Sequence, residues 1–206
     1  PTMDSVTQFA CGAAIGELVL GHRVGRKAML WGGILGTLSD LDVLIPLNGP
    51  VEDFVYHRGF SHSLLLLAVV SPLAAWLITR IHKDSRDHFR GWWLLVFLVL
   101  EFGVLLDLLT VYGTQILWPF DTTPRAWPVL FIIDPLYTLP LLVGVIAVAG
   151  WALRPRAHTV LVAGLALSTA YLGWSWVGPT IVERDAREAL ADAGLEYRAV
   201  CWVRTP

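Results

Sequence analysis

Long stretches of this sequence are apolar and carry almost no charge, and they limit the folds open to the chain. They are Leu64–Ile81, Trp92–Leu109, Val129–Leu153 and Thr159–Val177. A helix needs about 20 such residues to cross roughly 30 Å of hydrocarbon. Because lipid offers backbone groups no hydrogen-bond partner, a spanning segment must satisfy them within itself or in a closed barrel. We therefore predict an all-α, polytopic helical membrane protein.

The composition agrees with a membrane protein and argues against a nucleic-acid-binding protein. Of the 206 residues, 55% are hydrophobic and 16% are charged, with a mean hydropathy of +0.61. Soluble domains carry about a quarter charged residues. The net charge is −2, and no basic stripe with interleaved aromatic residues is present. We therefore expect membrane lipid as a partner and no nucleic acid.

Two shorter apolar segments, Val6–Leu20 and Ala28–Leu38, precede the long ones. The first is rich in glycine and alanine, which allow helices to approach closely in lipid. Because Ala28–Leu38 is too short to cross the hydrocarbon alone, we expect about five transmembrane helices in a membrane domain over residues 3–177. Residues 178–206 would form an amphipathic helix at Thr180–Ala193, a strand at Glu196–Val203 and the start of an extracytoplasmic tail.

Loop charge predicts how the chain is oriented in the membrane. Three short loops, at 21–27, 80–90 and 154–156, hold most of the lysine and arginine and fall on one side if every apolar segment crosses. The positive-inside rule makes that side cytoplasmic. The histidines in these loops, His22, His82, His88 and His158, are expected to be exposed to solvent. The opposite, extracytoplasmic side receives the acidic and histidine residues that could form a site.

Five of those residues are candidate metal ligands: Asp40, Asp42, His57, His62 and Asp107. Carboxylate and imidazole groups suit Zn²⁺, or Mn²⁺ or Mg²⁺ if oxygen ligands dominate. Asp40 and Asp42 would diverge on a regular helix, so they need a helix end or a turn. Gly59 would bend the chain so that His57 and His62 converge. Asp107 lies inside an apolar run, where a carboxylate without a partner is costly.

The neighbouring polar residues suggest catalytic roles around such a metal. Arg58 would repel a metal but would hold a substrate phosphate or carboxylate. Asp42 or His62 would serve as the base for a metal-activated water. We assign Arg58, Ser61, Ser63 and Arg125 to substrate binding, and Asp42, His62 and Arg58 to catalysis.

Simpler structural interpretations remain open for several of these residues. Asp40 and Asp42 could cap a turn, and His57 and His62 could be interfacial histidines. Asp134, followed by Pro135, could initiate a helix, and Asp4 and Asp121 are expected at the surface or as caps. Glu101 lies in an apolar run like Asp107, and its only conceivable partners are Arg58 and Arg125.

Several motifs, in order along most of the chain, resemble the bacterial membrane-bound metal-dependent hydrolases, the LexA-regulated inner-membrane hydrolases. The motifs are Met3-Asp4-Ser5-Val6-Thr7-Gln8, Gly36-Thr37-Leu38-Ser39-Asp40-Leu41-Asp42, His57-Arg58-Gly59-Phe60-Ser61-His62-Ser63, Leu106-Asp107 to Gln115, and Asp134-Pro135-Leu136-Tyr137-Thr138-Leu139-Pro140. The resemblance implies a multi-pass protein of the bacterial inner (plasma) membrane. It also implies a metal held by the five candidate ligands, acting on a phosphoester that could be lipid-linked, and a further extracytoplasmic region beyond residue 206.

Two positions depart from the family pattern. Ser39 stands where the family usually has proline, and Gly103 stands where it usually has a histidine four residues before the aspartate. Glycine offers no ligand, so a second hypothesis is a catalytically degenerate or purely structural membrane protein of the same scaffold. A third hypothesis, an ion or solute transporter, would predict internal repeats, and the sequence contains none.

Overall fold

A computed structural model describes residues 5–38, 59–131, 133–151 and 155–192. The regular structure within these ranges is helical, and the one β-type pairing there is an isolated bridge between Thr114 and Arg125. The main helices are α1 Ser5–Gly16, α2 Arg26–Leu38, α3 Leu64–Ile81, α4 Phe89–Leu108, α5 Pro135–Trp151 and α6 Pro155–Asp192. Helix α1 continues through a π-helical turn at Glu17–Gly21 into a last turn at His22–Val24, and 3-10 turns occupy Phe60–His62 and Lys83–His88.

The first two helices form an antiparallel hairpin in which the backbones touch. A Cβ atom on Gly12 would lie 2.2 Å from the carbonyl oxygen of Gly32, and one on Gly36 would lie 2.5 Å from that of Gln8. Only glycine permits such an approach, and close backbone packing is a major source of helix association in lipid. The small residues of the first apolar segment therefore determine how α1 and α2 pair.

The remaining helices also pair as antiparallel hairpins. In the α3–α4 hairpin the indole Nε1 of Trp93 donates to Ser71 Oγ at 3.0 Å. In the α5–α6 hairpin a Cβ on Gly164 would lie 2.2 Å from Pro140 O, and Ser168 Oγ donates to Tyr137 O at 2.7 Å. Each hairpin thus combines close packing or an interhelical hydrogen bond with apolar contact.

Helix α1 contacts three others, which makes it central to the bundle. It packs against α2, α4 and α5. Ala10 and Ala13 belong to a buried cluster with Leu106, Leu141 and Leu161. A second buried cluster joins the opposite part of α1 to α2, α3 and α4, and it includes Leu20, Leu35, Ala75, Trp92 and Val96.

A polar network joins helix ends at the basic-loop end of the bundle. Lys27 Nζ lies 2.5 Å from Asp84 Oδ2. Trp31 Nε1 donates to His82 Nε2 at 2.8 Å, and the imidazole stacks on Trp92 with ring centroids 6.3 Å apart. The expectation that His82 is solvent-exposed is therefore wrong, because tryptophans from two distant segments enclose its ring and leave it partly buried.

Within the part of the chain that the structure describes, three helices are long and apolar enough to cross a membrane, namely Leu64–Ile81, Lys83–Leu108 and Arg156–Ala191, and Pro135–Gly150 is a shorter apolar helix. These findings confirm a helical membrane protein, while the count of about five spans stays a prediction. The segment expected as an amphipathic helix, Thr180–Ala193, is helical as far as Asp192 and is continuous with the last apolar segment within α6. Ion pairs Arg184–Glu188 and Arg187–Glu183 lie along it. The strand expected at Glu196–Val203 lies outside the described residues.

Candidate functional site

A buried histidine–aspartate pair forms the centre of the candidate site. His62 Nε2 lies 3.0 Å from Asp107 Oδ2, and both side chains are fully buried. His62 ends the short turn that precedes α3, and Asp107 lies in the last turn of α4. Since α3 and α4 are antiparallel, the start of one meets the end of the other at this point.

Local hydrogen bonds hold His62 in place. The amide of His62 donates to Gly59 O at 3.1 Å, and that of Ser63 donates to Phe60 O at 3.3 Å. Ser63 then caps α3 by accepting from Leu66 N at 3.3 Å, as serine commonly does at helix starts. Its hydroxyl also donates to Trp118 O at 2.5 Å. Ser63, predicted to bind substrate, therefore uses its hydroxyl in these two structural contacts.

Gln8 is a site residue that we did not select from the sequence. Its side chain is buried, and its Nε2 donates to Asp107 Oδ2 at 3.2 Å, the oxygen that also contacts His62. The adjacent Thr7 Oγ1 lies 2.5 Å from Thr138 Oγ1 of α5, which ties this end of α1 to its neighbour. A long polar side chain within a helix of small apolar residues was the available signal.

Gly103 faces the same site, one helical turn before Asp107. A Cβ atom there would have one close neighbour, Gln8 Oε1 at 3.3 Å. The glycine is itself buried. A side chain at position 103 would therefore extend toward Gln8 and the Asp107 carboxylate.

Both ring nitrogens of His62 have polar neighbours. Ser61 Oγ lies 2.9 Å from Nδ1, and Asp107 Oδ2 lies on the Nε2 side. Together with Gln8 these groups form a chain of polar contacts from the half-buried Ser61 to α1. Such an arrangement can hold a cation between the imidazole and the carboxylate. It can also transfer a proton through the imidazole between Ser61 and Asp107.

Backbone hydrogen bonds attach the segment from Thr110 to Pro128 to residues that closely follow His62 and Asp107 in the sequence. The amide of Leu64 donates to Ile116 O at 3.2 Å, and that of Trp127 donates to Leu108 O at 2.7 Å. Next to the site, Phe60 packs edge-on against Trp118 with ring centroids 6.5 Å apart, and Phe120 is 85% exposed. An aromatic, apolar surface therefore adjoins the His62 turn.

Arg125, predicted to bind substrate, is engaged within this segment. Its guanidinium Nη2 lies 2.8 Å from Asp121 Oδ2. Hydrogen bonds from Thr123, followed by the contact with Arg125, lower the pKa of the exposed Asp121 carboxyl to about 2. The surface position expected for Asp121 is confirmed.

Asp134 lies at the start of a helix, the structural role that the sequence left open for it. Its Oδ1 accepts from Leu136 N at 3.1 Å and its Oδ2 accepts from Tyr171 OH at 2.8 Å. The first contact caps the start of α5 and the second joins α5 to α6.

Of the five predicted metal ligands, the structure brings together His62 and Asp107. Asp40, Asp42 and His57, together with Arg58, lie outside the described residues. Among the residues that are described, no group of three or more His, Cys, Asp or Glu side chains is placed to hold a metal ion. The predicted ligand set thus stays a prediction.

Comparison with known proteins places this arrangement in a family. The profile of the YdjM inner membrane protein family matches residues 3–182. The chain belongs to the YdjM inner membrane protein family. This membership confirms the resemblance to the LexA-regulated inner-membrane proteins and supports an inner-membrane location.

A curated relative of the YdjM-family chain is the uncharacterized protein YfhP of Bacillus subtilis (strain 168). The two are 28% identical over 159 residues, a match that covers 72% of this chain and 46% of YfhP. The chain thus spans less than half the length of this relative. No solved structure matches the chain.

Proposed function

We propose that this YdjM-family chain is a membrane-embedded, metal-dependent hydrolase of phosphoesters. The observation that carries the proposal is the buried contact of His62 with Asp107, at 3.0 Å. Two ligands about 2.0–2.2 Å from a tetrahedral zinc ion would lie roughly 3.3–3.6 Å apart. The two atoms are closer than this by about 0.3–0.6 Å, so a small separation of the side chains would allow joint coordination of a divalent metal, with Zn²⁺ favoured and Mn²⁺ or Mg²⁺ as alternatives.

The remaining ligands would come from the stretch of chain between α2 and the turn that carries His62. His57 and Arg58 directly precede Gly59, which begins the turn that carries His62. Asp40 and Asp42 follow the end of α2, and that end lies against the backbone of Gln8. Chain connectivity thus supports, for all of these residues, a position near the Asp107 carboxylate.

The chain's own groups would have distinct roles at this site. A bound metal would supply a Lewis acid and an activated water. Gln8 would orient the Asp107 carboxylate, and Ser61 would fix the tautomer of His62 through Nδ1, as partners of metal ligands commonly do. Arg58 would hold the substrate phosphate, and Asp42 or His62 would accept the proton.

A lipid-linked substrate is favoured by the surface next to the site. Phe60, Leu117 and Phe120 are exposed apolar side chains beside the His62 turn, close to the ends of two apolar helices. Aromatic side chains at this level are typical of the membrane interface. A phosphoester anchored in the outer leaflet would reach the site from the membrane.

The alternative is a structural or catalytically degenerate member of the family. It is favoured by Gly103, which offers no ligand at a position that faces the site, and by the contacts that Asp107 already makes with His62 and Gln8. These contacts would join α1, α3 and α4 without any metal.

Elemental analysis of the purified protein tests the proposal. We expect about one divalent metal per chain in the wild type, loss of that metal in His62→Ala and Asp107→Asn, and retention in the control His82→Gln. The metal-loaded protein should hydrolyse members of a panel of phosphomonoesters and phosphodiesters. Absence of stoichiometric metal from both the wild type and Gly103→His would instead favour the structural alternative.

A further inference from the structure

His82 lies at the basic-loop end of the bundle, where it contacts residues of three helices. It directly follows α3 and precedes the turn Lys83–His88, which leads into α4. The indole of Trp31, from α2, meets the imidazole edge-on with ring centroids 6.1 Å apart. Trp92 of α4 stacks on the same ring, with an angle of 12° between the two planes. The imidazole of His82 thus joins α2 to the α3–α4 hairpin.

Local hydrogen bonds hold His82 on the α3–α4 side of this junction. Its amide donates to Ile78 O at 2.9 Å, and its carbonyl oxygen accepts from the amide and from the hydroxyl of Ser85, each at 3.1 Å. The Ser85 hydroxyl accepts in turn from Trp92 Nε1 at 3.1 Å. None of these bonds involves α2. The imidazole itself is bonded to α2, because Trp31 Nε1 donates to His82 Nε2 at 2.8 Å.

The hydrogen bond between Trp31 and His82 requires a neutral imidazole. An indole nitrogen is a donor only, so His82 Nε2 must accept with its lone pair and the ring must carry its proton on Nδ1. In an imidazolium both nitrogens carry protons, and two N–H donors would then face each other. A charged ring is still attracted to the face of Trp92. Protonation therefore opposes the contact with α2 and not the contact with α4.

The charged groups near this ring belong to a weaker contact across the same junction. Lys27 Nζ of α2 lies 2.5 Å from Asp84 Oδ2 of the turn, and this carboxylate also interacts with the imidazole. The two side chains are 41% and 66% exposed, and ion pairs of that kind contribute little. Arg80 of α3 is engaged elsewhere, with its Cζ 4.7 Å from the ring centroid of Trp76. The indole hydrogen bond is therefore the main polar link between α2 and the turn.

We propose that the Trp31–His82 contact is a proton-sensitive joint, which holds α2 against the α3–α4 turn while His82 is neutral and releases it when the imidazole takes up a proton. Histidine is the side chain that ordinarily changes charge between about pH 5 and 8. The contact is thus present at the upper end of this range and is lost as the pH falls. The imidazole is only partly buried, so protons reach it from the basic-loop side. The backbone packing of Gly12 against Gly32 involves no titratable group, so α1 and α2 stay paired when the joint opens.

The indole N–H resonance of Trp31 in nitrogen-15 NMR spectra reports the joint directly. The protein in lipid nanodiscs would be titrated from about pH 8 to about pH 5, and Trp31→Phe would assign the resonance among the ten tryptophans. We expect the resonance to move upfield along one titration curve as the hydrogen bond is lost. His82→Gln should abolish this pH dependence, and the control His158→Gln, which removes an exposed histidine of α6, should preserve it. A resonance that does not move with pH, or that still moves in His82→Gln, would overturn the proposal.

A distance measurement tests whether α2 itself is released. Spin labels would be attached to Leu30→Cys on α2 and Phe89→Cys at the start of α4 in a Cys201→Ser background. Leu30 and Phe89 are 55% and 36% exposed, and the remaining Cys11 is buried. We expect the distance distribution to shift to longer values at the acidic end of the pH range. Trp31→Phe keeps an aromatic ring but removes the donor, so it should show the longer distances at both ends of the range. Identical distributions at both ends in the labelled protein without Trp31→Phe would contradict the proposal, whether or not the protein hydrolyses any substrate.

Discussion

His62 Nε2 lies 3.0 Å from Asp107 Oδ2 and thereby joins the start of α3 to the end of α4. Gln8 of α1 donates to the same carboxylate oxygen, so three helices meet at one buried acidic group. A buried polar group is costly when a partner is removed, because the remaining group is then desolvated without a hydrogen bond. The contact should therefore matter for stability even before any reaction is considered.

We expect Asp107→Ala to lower the free energy of unfolding by about 1–3 kcal/mol, because it removes the acceptor of the buried Gln8 amide and the carboxylate that lies beside His62. Asp107→Asn should cost less, since its amide oxygen still accepts a hydrogen bond. Thermal unfolding in detergent would measure both. The control is Asp87→Asn, which alters an exposed carboxylate in the turn before α4. A transition for Asp107→Ala no lower than that of the control would show that the contact does not stabilise the fold.

The helices that could be predicted most accurately were those defined by local signals. The predicted apolar segment Leu64–Ile81 coincides with α3. Its start is marked by Ser63, whose side chain caps the helix, and α5 begins in the same way after Asp134. In both cases a capping residue stands next to an apolar run, so neighbouring residues contain the necessary information.

Contacts between segments that are distant in the sequence were harder to predict than the helices. Gln8 meets Asp107 because α1 lies at the centre of the bundle, and no local pattern specifies that position. His82 lies in a charged loop, yet Trp31 and Trp92 enclose it from two other helices. The sequence did allow His62 and Asp107 to be assigned to the same end of the molecule, because the distribution of lysine and arginine predicts the direction of each helix.

The contact between α1 and α2 predicts a sharp difference between two glycine substitutions. Gly12→Ala would place a Cβ 2.2 Å from Gly32 O and must push the helices apart, whereas a Cβ on Gly150 meets no atom within 4 Å. We expect Gly12→Ala to destabilise the protein by about 1–3 kcal/mol, as overpacking does. Gly150→Ala should be neutral or slightly stabilising, since alanine favours helix. Thermal unfolding would measure the stability of both variants. If the close packing were absent, the two substitutions would change the stability by the same amount.

The proposed orientation predicts which loops are accessible from outside the cell. Thr123 lies in the segment beside the His62 turn, and Lys83 lies at the basic-loop end of the bundle. In a Cys201→Ser background, a membrane-impermeant maleimide added to intact cells should label Thr123→Cys and should label Lys83→Cys only after lysis. This result follows if the basic loops are cytoplasmic. The reverse pattern would place the candidate site on the cytoplasmic face.

The last prediction concerns the segment that adjoins the site. Hydrogen bonds from Thr123 and the contact with Arg125 lower the pKa of Asp121 from 3.8 to about 2. Because the folded-state pKa is the lower one, these contacts stabilise the segment above pH 3.8 and are lost as the pH falls toward about 2. Carbon-13 NMR of the labelled carboxyl would follow this titration. Thr123→Ala and Arg125→Gln should each raise the pKa of Asp121, since each removes a side-chain contact, while the backbone amide of Thr123 still donates to Oδ1 at 2.8 Å. A wild-type titration near 3.8 would mean that the carboxyl does not make these contacts in solution.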